Sequence, residues 1–254
     1  MPDWVRCCLA SVEAWARARD HPYIFIDDAL FARVPGWYRA KVDDAVLPMS
    51  DLARLLVLCE FSTEYPSVAW LDADVLVFDP SRFCLPEVAY AVCPERWVFR
   101  NKAGDLGAVE QVNNSAMLFA RENPFLAFYI EATESTVRAA EEPVASHLAG
   151  TDLLTRLDRV VPLAKLDGVG MISPALARDL AAGRDEAPRF YAEGLARPVQ
   201  AANLCHSFTV RADPGQRLTA ATIEAAIDRL LATKGGAINR WLSGQRRKVA
   251  TSST

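Results

Sequence analysis

The segment Val68–Pro80, reading VAWLDADVLVFDP, constrains this chain more than any other. Val68–Leu71 is a continuous apolar run of the kind a buried strand carries. Val75–Phe78 resumes the run, and Asp79-Pro80 ends it. Between the two halves stand Asp72 and Asp74. Carboxylates set into such a run are costly to bury unless they are paired or bound to a cation. In an extended chain they point the same way. Together they make a hard, oxygen-rich face suited to Mg²⁺ or Mn²⁺, a cation that typically bridges protein carboxylates and a diphosphate. The plainer alternative is a strand that ends in a polar turn.

The surroundings of this segment read as alternating helices and strands. Trp4, Cys8, Val12 and Trp15 recur at helical spacing. Tyr23–Ile26 is a short β-prone run followed by Asp27-Asp28, and Phe31–Pro48 looks irregular. Ser50 stands where a helix N-cap belongs, with Asp51 in the first turn and Leu52, Leu55, Leu56 and Cys59 on an apolar face. Val88–Cys93 and Ser115–Phe119 are further strand candidates, and the polar stretch Glu95–Gln111 between them reads as a functional loop. Asn123-Pro124 opens a helix running to about Ala140. Thr151 and Ser173-Pro174 open two more, with Arg159–Pro162 as a strand between. Thr219–Thr233 is an amphipathic helix stopped by Gly235-Gly236. The alternation predicts an α/β fold with a largely parallel sheet. A single domain over 1–217 carries the chemistry, and 218–254 supplies a C-terminal helix and a basic, partly disordered tail.

Composition narrows the functional classes. The chain has 254 residues, 24% of them charged, which excludes general disorder. A net charge of −4 and a pI near 5.5 argue against a nucleic-acid-binding role. No apolar leader follows Asp3 and Arg6, and no stretch of some 18 apolar residues occurs. The six cysteines show no CxxC spacing and read as reduced, mostly buried thiols of a cytoplasmic protein rather than a zinc site. After Asp228 come Arg229, Lys234, Arg240, Arg246, Arg247 and Lys248 with no acid. This is a solvated end or, on the sharper reading, a weak contact with polyphosphate or with the anionic inner face of a membrane.

Taken together, Ser50-Asp51-Leu52-Ala53-Arg54 and Trp70-Leu71-Asp72-Ala73-Asp74-Val75 resemble the DXD-motif glycosyltransferases of the GT-A fold. The pattern is most similar to family 32, "SDxxR … YLDxD", and its Leu-Asp-Ala-Asp wording is similar to family 8. Asn113-Asn114-Ser115-Ala116-Met117 resembles the asparagine-bearing strand after the DXD. Pro124-Phe125-Leu126 resembles an "HPF" stretch, Ala149–Thr155 a "TGP…LT" block without its proline, and His206-Ser207-Phe208 a late His motif. The family's Gly-Gly before the DXD strand is replaced by Thr63–Ser67.

The resemblance implies a metal-dependent transfer of a hexose from a nucleotide diphosphate sugar, UDP-sugars favoured, to a saccharide or lipid-linked acceptor, with retention at the anomeric carbon and a part in polysaccharide biosynthesis. It implies Asp74 as a direct ligand of Mn²⁺ or Mg²⁺, and Asp72 on the ribose or donor sugar while sharing the metal. Asp51 and Arg54 would hold the donor sugar and balance charge at the diphosphate, His206 would be a late metal or diphosphate ligand, and Asn113 or Asn114 would line the acceptor side. Simpler roles stand beside these. Arg54 and Asp51 could form a surface pair one helical turn apart, His206 could be a core histidine, Asn113-Asn114 could begin a strand, and Asp152 is read as a helix-start charge. The resemblance also implies a first strand ahead of a "P-x-W" entry that Met1–Trp4 matches. The expectation is therefore a fold lacking that strand, from a truncated or mis-started chain or one with a weakened base site, with Tyr23–Ile26 left as an unpaired edge. Two other classes stay open. One is a haloacid dehalogenase-like phosphatase, which also begins from strand-DxD but continues with small residues where this chain has Val75-Leu76. The other is a non-catalytic nucleotide-sugar binder.

Overall fold

The structure, a computed structural model, describes residues 1–210 and 217–242. Arg246, Arg247, Lys248 and the Ser/Thr terminus of the basic tail lie outside the described residues.

The architecture is mixed α/β with two small sheets. Helix α1 (Asp3–Ala18) buries Trp4, Val5, Cys8, Val12 and Trp15, the spacing read from the sequence. A short α2 (Gly36–Lys41) precedes α3 (Val46–Ser62). Strand β1 (Ser67–Leu71) and strand β2 (Val75–Val77) are the two halves of the apolar run, yet they belong to different sheets. β1 pairs antiparallel with β4 (Leu106–Ala120), which pairs antiparallel with β3 (Tyr90–Arg100). β2 pairs antiparallel with β6 (Ala201–Asn203), which pairs in parallel with β5 (Val169–Met171).

A largely parallel central sheet is thus not what forms. Among the described residues only β5 and β6 pair as parallel strands, besides an isolated bridge between Val92 and Lys165. The reason lies in Glu95–Gln111, which is no loop. Glu95–Arg100 and Leu106–Gln111 are arms of a long hairpin turned at Asn101–Asp105, where the Asn101 side chain accepts from the amides of Ala103 and Asp105. Adjacent strands joined by a tight turn must run antiparallel. Tyr23–Ile26 and Arg159–Pro162 form no strand, and Ile24, Phe25, Val160 and Val161 are exposed.

Helix α4 (Pro124–Ala139) starts as expected, with the Asn123 side chain accepting from the Phe125 amide. A π-turn at Leu148–Asp152 leads into α5 (Leu153–Val160), so Thr151 is not a cap. α6 (Pro174–Ala181), α7 (Glu186–Glu193) and a four-residue α8 (Ser207–Val210) follow. α9 (Ala220–Thr233) is capped by Thr219 and ends at Lys234 and Gly235 with positive φ, followed by the short α10 (Gly236–Asn239). α9 does not stand apart: Ile223, Ile227 and Leu230 share one core with Trp4, Leu76, Leu180 and Tyr191. Leu55, Met117, Phe119, Tyr129 and Leu154 fill a second core between α3, α4, α5 and the first sheet. All six cysteines are free; Cys8, Cys93 and Cys205 are buried, Cys7 is half-buried, and Cys59 and Cys84 are exposed. No helix among the described residues is long and apolar enough to cross a membrane.

Candidate active site

The carboxylates sit at the joint between the sheets. β1 ends at Leu71, the Asp72 amide extends its ladder by donating to Ser115 O at 2.8 Å, and the Val75 amide donates back to Asp72 O to close a turn. Asp72 and Asp74 therefore lie on a turn and not on an extended strand, but both still line one cavity of about 1120 Å³. Each remains half-buried and open to it.

Asp74 is gripped by the other sheet. Pairing of Val75 with Asn203 brings β6 alongside, and Asn203 Nδ2 donates to Asp74 Oδ1 at 2.7 Å. Asn203 Oδ1 in turn accepts from the Cys205 amide, and Cys205 takes a left-handed conformation, φ 53°. That turn aims the His206 amide at Asp74 Oδ2, 2.7 Å away. His206 thus meets the motif through its backbone, while its ring packs against Trp4 with centroids 5.5 Å apart. Among the described residues no group of three or more His, Cys, Asp or Glu side chains is arranged to hold a metal, and His206 lines the same cavity as Asp72 and Asp74.

Asp72 is bound from the opposite side. Trp70 Nε1 donates to its Oδ1 at 2.6 Å, and Arg54 Nη1 approaches both its oxygens at 3.2–3.3 Å. Arg54 comes from α3, which begins a full turn earlier than Ser50. Ser50 Oγ donates to Val46 O instead of capping, and Pro48 occupies the first turn, where its missing N–H costs nothing. Asp51 accordingly lies one turn inside the helix, away from the N-terminal dipole. Arg54 and Asp51 are both buried, so theirs is no surface pair. Arg54 donates through Nε to Ser50 O and through Nη1 to Asn114 O and Oδ1, at 2.9–3.0 Å.

The two asparagines divide. Between Val92 and Cys93 the β3–β4 register jumps from Met117 to Asn113, which leaves Asn114, Ser115 and Ala116 without β3 partners. Asn113, Asn114 and Ser115 line the cavity at this bulge. Asn114 Nδ2 donates to Asp51 Oδ1 at 3.0 Å, tying it to the Arg54 side. Asn113 Nδ2 donates instead to Glu95 Oε2 at 2.9 Å. Asp152 also lines the cavity, at the N-cap of α5 without a side-chain capping bond. Asn203, Trp70 and Glu95 were missed from sequence. The order Glu95-Arg96-Trp97-Val98, two polar residues and then two apolar ones, carries no strand alternation that would have signalled the last.

Charge does not balance here. Three carboxylates face one guanidinium, so full ionisation leaves two negative charges in excess. Burial raises the Asp51 carboxyl to about 6 against the pull of Arg54 and Asn114. Burial likewise raises Asp72 and Asp74, opposed at Asp72 mainly by Arg54 and at Asp74 mainly by the His206 amide. A donor set of oxygens with surplus negative charge and open access fits a hard divalent cation. Asp72 and Asp74 are the residues that would hold it.

A pH dependence follows. A buried carboxyl with a raised folded-state pKa binds more protons folded than unfolded, so its contribution to stability declines as pH rises from about 4 through about 6. Metal-free protein is expected to lose several degrees of Tm to these groups between pH 4.5 and 7.5. Mn²⁺, competing with protons for the same oxygens, is expected to raise Tm more at pH 7.5 than at pH 5. Thermal melts with and without MnCl₂ at both pH values check this; an equal shift at both would contradict it.

Gly150, in the π-turn, lets Asp51 fit. A Cβ there would stand 2.8 Å from both Asp51 carboxylate oxygens. Gly150→Ala is expected to cost about 1–3 kcal/mol by displacing Asp51. Gly236→Ala, whose Cβ meets only Thr233 at 3.6 Å, serves as a near-neutral control in the same denaturation series.

No family model matches the chain, and no curated protein matches it.

Proposed function

We propose that this protein is a metal-dependent glycosyltransferase of GT-A-like organisation, moving a hexose from a nucleotide diphosphate sugar to an acceptor hydroxyl. The observation that carries the reading is the convergence, on one open cavity, of Asp72 and Asp74 with the buried Asp51–Arg54–Asn114 cluster. Excess carboxylate beside a fixed arginine suits a cation–diphosphate pair. The bound cation would supply Lewis-acid stabilisation of the departing diphosphate. Arg54 holds a fixed positive charge at the edge of that site, pre-oriented by Ser50 and Asn114, where negative charge develops on the leaving group. Asp51, braced by Asn114, takes hydroxyls of the donor sugar. Bond formation from the acceptor oxygen to the sugar carbon accompanies cleavage of the bond to diphosphate, and the acceptor proton leaves with the diphosphate. This route needs no protein nucleophile and is compatible with retention.

A phosphatase of the strand-DxD kind is less well supported. Its nucleophilic carboxylate must be free to attack, whereas Asp72 is held by Trp70 and Arg54, and Val75-Leu76 continue as buried strand. The test is incubation with a panel of nucleotide sugars, with and without Mn²⁺, reading release of nucleoside diphosphate, beside a generic phosphate ester. Metal-dependent release from one sugar nucleotide supports transfer chemistry. Hydrolysis of the ester alone would favour the phosphatase, and metal-dependent UDP binding without turnover the non-catalytic binder. A cytoplasmic site of action belongs to the same proposal.

A further inference from the structure

The β3–β4 hairpin presents two unlike faces. Directly opposed residues of an antiparallel pair share a face, so Glu95 and Gln111 lie together, with Trp97 two residues along β3 and Asn113 two along β4. These four side chains line the same cavity as the carboxylates. Arg96 and Glu110 occupy the other face, where they pair with each other.

Glu95 is the unusual member. It is buried, and among the described residues no Lys, Arg or His pairs with it at ion-pair distance, although His147, which lines the same cavity, lies close enough to favour its charged form. Its Oε2 accepts from Asn113, while Oε1 has no donor within the described protein and is not sealed from the cavity. A buried carboxylate with one hydrogen bond and no ion pair is expensive, and one kept at a cavity wall offers its open oxygen to a ligand's donor. Trp97 stands two residues along the same face, its ring seated on Phe208 with centroids 5.0 Å apart. An anchored indole next to a carboxylate and two amides has the two elements a pyranose requires. A flat π-surface meets the ring's C–H face, and planar polar groups meet its hydroxyls.

We infer that Glu95, Trp97, Gln111 and Asn113 form the acceptor subsite, and that the acceptor moiety seated there is a saccharide ring. This rests on the glycosyl-transfer reading above and deepens it. Glu95 Oε1 accepts a hydrogen bond from one ring hydroxyl, while Trp97 stacks against the ring. A neighbouring hydroxyl attacks the donor carbon and gives its proton to the departing diphosphate. Glu95 ends the reaction unchanged.

The experiment uses the full chain, Mn²⁺, the sugar nucleotide most rapidly turned over, and a panel of methyl glycosides as acceptors, with transfer read by mass. Glu95→Gln and Trp97→Ala are expected to raise the acceptor KM at least tenfold while the Kd of UDP in the presence of Mn²⁺ stays within twofold. Glu110→Gln, on the opposite face, is expected to match the parent protein. If Trp97→Ala fails to fold, the isosteric Glu95→Gln decides alone. Two results would overturn the subsite and leave the donor reading standing. One is UDP·Mn²⁺ binding by the parent protein with transfer to no glycoside; the other is an unchanged acceptor KM in the variants. Absence of any Mn²⁺-dependent UDP binding by the parent would overturn the glycosyl-transfer reading, and the subsite with it.

Discussion

Asp74→Asn is expected to abolish Mn²⁺-dependent UDP binding and sugar-nucleotide turnover in a protein that still folds. Both oxygens of Asp74 are already used, one by Asn203 Nδ2 and the other by the His206 amide, each at 2.7 Å. An asparagine presents one oxygen and one NH₂, so one of those donors loses its acceptor. The free lone pairs and the charge that a hard cation needs are lost together. Folding survives because the substitution also removes a carboxylate that burial had made costly. Asp72→Asn is expected to be nearly as severe, since Asp72 both faces the cavity and balances Arg54. Calorimetric titration with UDP and MnCl₂, alongside a thermal melt, separates lost binding from lost fold. Parent-like turnover in both variants would refute the metal-site assignment.

Arg54→Lys is expected to lower kcat/KM at least tenfold. Arg54 is a buried junction: its guanidinium reaches Ser50 O, Asn114 O, Asn114 Oδ1 and both Asp72 oxygens at 2.9–3.3 Å. A lysine ammonium is a point charge with three donors and cannot reproduce the fork. At least one buried carbonyl is left unpaired, costing about 1–3 kcal/mol, and a tenfold rate loss needs only about 1.4 kcal/mol. Steady-state kinetics on the best sugar nucleotide, with melting to track stability, checks both consequences. Had Arg54 met only Asp51 on an exposed helix face, lysine would be silent. The burial of both side chains already argues otherwise.

The legible parts of the site were those written locally. The Asp72–Asp74 spacing, the apolar runs beside it and the Asp51–Arg54 pair are short-range patterns, and all four side chains do converge. The supporting residues were not legible. Asn203 and the His206 amide reach Asp74 across more than a hundred residues, through the pairing of Val75 with Asn203. The different duties of Asn113 and Asn114 depend on a bulge three residues wide. Glu95 lies in a polar stretch without strand periodicity, and only its pairing with Gln111 across the hairpin makes it part of a strand.

By itself the sequence determined the helices whose apolar stripe and caps are local: α1, α4 behind Asn123-Pro124, α6 behind Ser173-Pro174, and α9 behind Thr219. It also determined where β1 and β2 lie, because β-branched and apolar runs bounded by turn residues need burial wherever the chain goes. Only the tertiary structure decided that these two strands enter different sheets, that the sheets pair mainly antiparallel, and that the turn between them becomes the floor of a cavity. The physical reason is that periodicity records how much of each side chain must be buried. The identity and direction of a strand's neighbour are set by contacts between distant segments, which no local pattern encodes.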